Sequence, residues 1–401
     1  VRKKTVLFPE RNRKYFRNRI IPAFGCLICV LLLSACSGSP DFLSGKYRPI
    51  GESTAEKSRE TSVSSSESTV RSTQKNAGGS SAAVSTENQT AGTKPAETAA
   101  AEKTETAAVK IPESEPVHLC FAGDILLSDH VLNAYDKGGI SGILDDAFLK
   151  TAREADIFMA NEEFPFGTKG TAADKQYTFR VDPKRAGIFK ELGIDIVSLA
   201  NNHSLDFGRD ALQETFDTLD ANGILYAGAG KNLSRAEELQ VIEVKGKKIG
   251  FLAASRVIPE GGWNAGNSTS GLFTTYDPKE LVKQIKESKT KCDFTVVYVH
   301  WGVERKTEPE TYQVSLSRQY IDAGANLVIG SHPHVLQPIV FYKNVPVAYS
   351  LGNFLFGSSI PSTELLCADI MPDNSVSVSI IPGRGSAGKT VHTGEKETVR
   401  Q

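Results

Sequence analysis

Five short, largely apolar runs recur along the chain: Val117–Ala122, Ile157–Ala160, Ile194–Leu199, Phe294–Val299 and Leu327–Ile329. Runs of this length suit strands buried on both faces and are too short for helices, which need about 10–12 residues. Helical patterns lie between or after them, at Ala147–Glu154, Pro183–Leu192, Ala211–Ala221, Pro278–Glu287 and Tyr312–Ala323. The second opens on Pro183 and closes at Gly193, and the third stops at Gly223, as the chemistry of helix ends favours. A further strand, Ile224–Ala227, comes after that stop. Strands alternating with helices predict an α/β fold. Hairpin patterns at residues 241–253 and 339–381 add antiparallel pieces. From Arg384 to Gln401 the sequence turns polar, which predicts a loose tail.

The residues directly after each run carry the chemistry. The first run ends in Gly123-Asp124, the second in Asn161-Glu162-Glu163 and the third in Asn201-Asn202-His203. The fourth ends in His300-Trp301-Gly302 and the fifth in Gly330-Ser331-His332-Pro333-His334. Ligands of open α/β sheets bind at the carboxyl ends of strands, so five segments are expected to deliver these groups to one edge of one sheet. Four of the seven histidines are among them. Each motif alone reads as a turn, a cap or a solvated histidine. In an extended segment His332 and His334 would face the same way and meet one site. Together the carboxylates, the amide oxygen and the imidazoles form a donor set suited to manganese, iron or zinc rather than calcium. Arg180 is a candidate for holding an anionic substrate group, since a guanidinium pairs with carboxylate or phosphate through two hydrogen bonds. Trp301 is expected to pack beneath the pocket.

These motifs, with Phe121-Ala122-Gly123-Asp124 and Ser350-Leu351-Gly352-Asn353-Phe354, resemble in order those of the poly-γ-glutamate capsule-synthesis CapA family. The resemblance covers roughly residues 116–383. That family is similar to the calcineurin-like metallophosphoesterases, which implies a four-layer fold of two mixed β-sheets flanked by helices. It also implies roles. Asp124 matches the first metal-ligating aspartate, Glu163 the bridging carboxylate and Asn202 a ligand of a second metal. His203 matches the proton donor to the leaving group, and His300, His332 and His334 match the later histidine ligands. One or two divalent transition ions (Mn, Fe or Zn) are implied. The sequence departs from the phosphoesterase pattern in two places: Leu126 stands where those enzymes carry a histidine, and the bridging group is the longer Glu. Two functions stay open at this stage. One is a surface hydrolase that uses metal-activated water. The other is a non-catalytic subunit that binds or assembles an anionic polymer such as poly-γ-glutamate beside a membrane-bound polymer synthase.

The first 115 residues predict no part of that fold. Eight basic residues precede an apolar run, Ile20–Leu33, and then Leu33-Ser34-Ala35-Cys36. The run is short for a membrane-spanning helix, which takes roughly 20 residues, but fits a signal peptide. The tetrapeptide resembles the bacterial lipobox, implying that Cys36 is lipidated and begins the mature chain. Two acyl chains would hold the protein firmly to the outer face of the cell membrane. Residues 36–115 are rich in Ser, Thr, Ala and Glu and nearly free of large apolar side chains, so they are expected to form a disordered tether. As a flexible coil this tether would span on the order of 50 Å. The whole chain has 46 basic and 47 acidic residues; residues 1–35 hold 8 and 1 of them, leaving 38 against 46, a net of −8. That sign disfavours nucleic acid as a partner. Cys120, Cys292 and Cys367, far apart in apolar runs, are expected to be small buried hydrophobes rather than a disulfide framework.

Overall fold

A computed structural model describes residues 115–401. The expected signal segment, the expected lipid site Cys36 and the expected tether as far as residue 114 lie outside the described residues.

Each predicted run is a strand, and the strands form two mixed sheets. The first has nine strands. Val117–Ile125, Ile157–Glu162, Ile196–Ser198 and Leu225–Ala227 run parallel. Ser359–Ile370 and Val376–Ser386 continue the sheet antiparallel on the other side of Val117–Ile125. The second sheet orders six strands as Leu336–Tyr342, Val345–Leu351, Leu327–Ser331, Phe294–His300, Lys247–Ser255 and Gln240–Val244. Its central strands are parallel and the expected hairpins flank them.

The alternation of side chains along a strand gives each sheet two buried faces. Leu119 and Phe121 point between the sheets, while Cys120 and Ala122 point to the helices. The inter-sheet core joins Phe121, Met159 and Ile196 to Phe251, Val296, Tyr298 and Ile329. Tyr298 Oη also donates to the Ala122 carbonyl at 2.9 Å. Phe148, Phe189, Leu212 and Phe216, from helices Asp146–Glu154, Gly187–Leu192 and Gly208–Asn222, cover the outer face of the first sheet. Leu281, Ile285, Leu316 and Tyr320, from helices Lys279–Ser288 and Thr311–Ala323, cover the second. The result is the expected four-layer α/β/β/α arrangement. Among the described residues no helix is long and apolar enough to cross a membrane.

The tail departs from expectation. Residues 384–401 are not loose: Val376–Ser386 continues through Arg384, Lys389–His392 pairs with it, and Glu397–Thr398 pairs with its middle. Thr390 is buried and donates to the Phe354 carbonyl at 2.5 Å. A sheet-edge strand buries few side chains, so its polar sequence resembles that of a free tail. The cysteines also hold a surprise. All three are free, but Cys120 and Cys367 are cross-strand neighbours with sulfurs 3.5 Å apart. The 247-residue separation hides that proximity.

Candidate metal centre

The strand ends do converge, but not on one sheet. Asp124, Glu163, Asn202 and His203 lie at strand ends of the first sheet, whereas His300, His332 and His334 lie at strand ends of the second. The two sheets face each other with these parallel strand ends at the same side of the inter-sheet core. The site therefore straddles both edges. His332-Pro333-His334 is not extended either: His332 and His334 have φ of 99° and 59°. These left-handed turns, rather than strand alternation, aim the two imidazoles, whose ring centres lie 5.9 Å apart.

Asp124 and Glu163 are fully buried and joined by Asn161, whose Nδ2 donates to Asp124 Oδ1 at 2.9 Å and to Glu163 Oε2 at 3.3 Å. His334 Nδ1 lies 3.2 Å from Asp124 Oδ2, and its Nε2 lies 3.7 Å from Glu163 Oε1. On the other side, His300 Nε2 faces Asn202 Oδ1 at 2.7 Å, His332 Nδ1 at 3.1 Å and Glu163 Oε1 at 3.7 Å. Ser331 holds the second nitrogen of His300 at 2.9 Å. Two donor groups share Glu163, Asp124–Glu163–His334 and Glu163–His300–His332, and a third joins Glu304 to His332 and His334; in each the ligand atoms lie within 4.8 Å of one another.

The donors suit a divalent cation. Two oxygens, Asn202 Oδ1 and Glu163 Oε1, face His300 Nε2, and a single proton there can serve only one of them. Glu163 Oε1 is buried without a hydrogen-bond partner. Burial holds the His300 pKa far below the usual imidazole range and that of His332 at about 3, with the neighbouring histidines adding to the effect. Both rings are thus neutral, as ligands must be. For His334 burial acts downward, but Glu163 and Asp124 outweigh it and hold the ring up at about 10. Burial and the Asp124 charge push Glu163 well up. The cluster favours positive charge between its carboxylates, and a metal ion can replace the proton that supplies it.

His203 stands beside these groups and is not in either. Its Nδ1 lies 2.7 Å from Asp206 Oδ2, and Phe179 stacks on its ring at 4.3 Å. Asp206 is fully buried and also accepts from Phe179 N at 2.6 Å and Lys175 Nζ at 2.7 Å. Burial lowers the His203 pKa against the pull of Asp206. Arg180 is turned to Phe207, 4.0 Å from its ring centre, and to the Lys169 carbonyl at 3.3 Å. Leu126 is buried in the helix-side core, and Trp301 is buried beneath the second sheet's helices as expected. Sequence reasoning missed Asn161, Lys175, Asp206 and Glu304. Only Asn161 and Glu304 sit inside or next to motifs that it singled out.

Residues 118–358 match the family described as Bacterial capsule synthesis protein PGA_cap. The chain is similar to PGA biosynthesis protein CapA of Bacillus subtilis, 31% identical over 254 residues, which cover 62% of this chain and 65% of that protein. It is also similar to capsule biosynthesis protein CapA of Bacillus anthracis, 30% identical over 266 residues, 64% of each chain. It thus spans just under two thirds of the length of these relatives. Among solved structures, a Staphylococcus aureus chain assigned as a 5′-nucleotidase aligns with a TM-score of 0.42 at 14% identity, covering 70% of this chain and 55% of that one. With more than half of its length matched, the chain belongs to the bacterial capsule synthesis protein PGA_cap family.

Proposed function

We propose that this protein acts in the synthesis or processing of poly-γ-glutamate, or a related anionic capsule polymer, at the outer face of the cell membrane. A lipid on Cys36 holds it there, beside a membrane-bound polymer synthase, and its strand-end centre is a metal-dependent hydrolase. The names of the two Bacillus relatives support the process. The observation that carries the hydrolytic reading is the sharing of Glu163 between two donor groups, the layout that a pair of ions needs. Asp124, Glu163 and His334 would hold one ion, and Glu163, Asn202, His300 and His332 the other. A divalent ion there supplies Lewis acidity and makes water a nucleophile at neutral pH.

The protein's own groups do the rest. Asp206 engages His203 Nδ1 and favours the imidazolium, whose Nε2–H would give its proton to the departing oxygen. Phe179 fixes the plane of that ring. The buried Asn161 bridge keeps Asp124 and Glu163 at one spacing.

The test combines metal analysis with turnover of an activated phosphodiester or phosphomonoester. The purified protein should retain manganese, iron or zinc, and Glu163→Ala should lower the occupancy. His203→Ala should cut turnover by roughly 10²–10⁴-fold, the usual contribution of a general acid, while metal content holds. Undiminished turnover in His203→Ala would reject His203 as the proton donor. A wild type with metal but no turnover, binding poly-γ-glutamate as well as the variant does, would point instead to a polymer-binding or assembly subunit.

A further inference from the structure

We infer that Glu304 is a ligand of this centre, supplying the donor that Leu126 cannot; the inference rests on the metal-centre reading above. The Glu304 carboxylate and the ring nitrogens of His332 and His334 lie within 4.8 Å of one another. His334 is also in the Asp124–Glu163 group, so that group and Glu304 share a histidine. That group offers three donors, and Leu126, two residues after Asp124, has no donor atom to add.

Backbone geometry keeps Glu304 in place. Trp301 N donates to the Ser331 carbonyl at 3.0 Å and Arg305 N to the Pro333 carbonyl at 2.7 Å. The loop bearing Glu304 is thereby stitched along the segment bearing the two histidines. At Gly302, with φ of +94°, an added Cβ would come within 2.9 Å of the Pro333 ring, so the loop hugs that segment closely. Among the described residues no hydrogen bond or ion pair engages the Glu304 carboxylate. Its negative charge nonetheless acts on Glu163, Lys175 and His334.

The distances allow ligation. With metal–ligand bonds of about 2.0–2.2 Å, neighbouring ligand atoms on one ion stand roughly 3–3.5 Å apart. Closing a gap of at most 4.8 Å takes a shift of at most about 1.3–1.8 Å by an exposed side chain. A carboxylate is also a fitting replacement chemically, because oxygen donors suit manganese.

The experiment titrates Mn²⁺ into the metal-stripped full chain by calorimetry, using wild type, Glu304→Gln and Glu308→Gln. Glu308 is exposed four residues further on and belongs to none of the donor groups, so it controls for the loss of one charge. Glu304→Gln should weaken Mn²⁺ binding tenfold or more, since even groups behind the ligands shift affinity by about 10–100-fold. Glu308→Gln should stay within about twofold, and the stripped proteins should melt alike. A wild type that takes up no manganese, iron or zinc would overturn the metal-centre reading. A wild type that binds Mn²⁺ while Glu304→Gln binds it equally well would overturn only the Glu304 assignment. Equal weakening in both variants would overturn it too, as a plain charge effect.

Discussion

Glu162 and Glu163 are adjacent on one strand end and meet opposite environments. Alternation sends Glu163 into the centre with Asn161, and Glu162 to the helix side with Phe158 and Ala160. Glu162 is fully buried, and neither of its carboxyl oxygens has a partner. Burial pushes its pKa far up, so it is a neutral acid in an apolar wall. An unsatisfied buried polar group costs about 1–3 kcal/mol. Glu162→Met, similar in shape and apolar, should therefore raise the unfolding free energy by about that amount in urea titrations. A variant less stable than wild type would mean that the carboxyl does have a partner. Nothing in Asn161-Glu162-Glu163 marks which glutamate faces the site until the pleat of the strand is known. Asp206 was hidden for a related reason: its role depends on a loop that returns toward His203.

On the scale of elements, Ser359–Ile370 carries Glu364 into the space between the sheets. The residue is only 6% exposed and borders a cleft with Leu336, Pro338, Ile339 and Val399. Burial alone raises its pKa from 4.5 to about 7. A carboxyl with a raised folded-state pKa binds its proton more tightly when folded, so stability declines as pH rises from about 4.5 to 7. Above that window the full penalty, roughly 3 kcal/mol by linkage, is present. The difference in stability between Glu364→Gln and wild type should therefore grow from pH 4.5 to pH 7 in favour of the variant, then level off. Melting curves at pH 5 and pH 8 check this, and a constant difference would refute it. Most strands, helices and hairpins were legible, because period and turn residues are local properties; helix Asp129–Gly138 and strand Lys389–His392 were not. The left-handed turns at His332 and His334 were not, because their backbone is set by contacts with the first sheet, such as His332 N to Asp124 Oδ2 at 3.4 Å.

For the molecule as a whole, the centre is where the polar ends of both sheets meet. Asp124 and Glu163 come from one sheet, His300, His332 and His334 from the other. Ions bound there would clamp the open side of the inter-sheet core. Binding only the folded state at a free-ion concentration about 1,000 times Kd stabilises it by about 4 kcal/mol. Stripping the protein with a chelator should lower its melting temperature, and adding back Mn²⁺ or Zn²⁺ should restore it. Melting that is unchanged by the chelator would show that the ions do not tie the sheets together.

The sequence by itself determined the α/β alternation and the order of the strand-end motifs, because apolar period and strand-end chemistry are written within a few residues of each other. Tertiary structure alone decided that the donors come from two sheets and that Glu163 is shared. It also decided that Cys120 meets Cys367. Each of these depends on which strands pair and which faces oppose, and pairing across a hundred or more residues leaves no local trace in the chain.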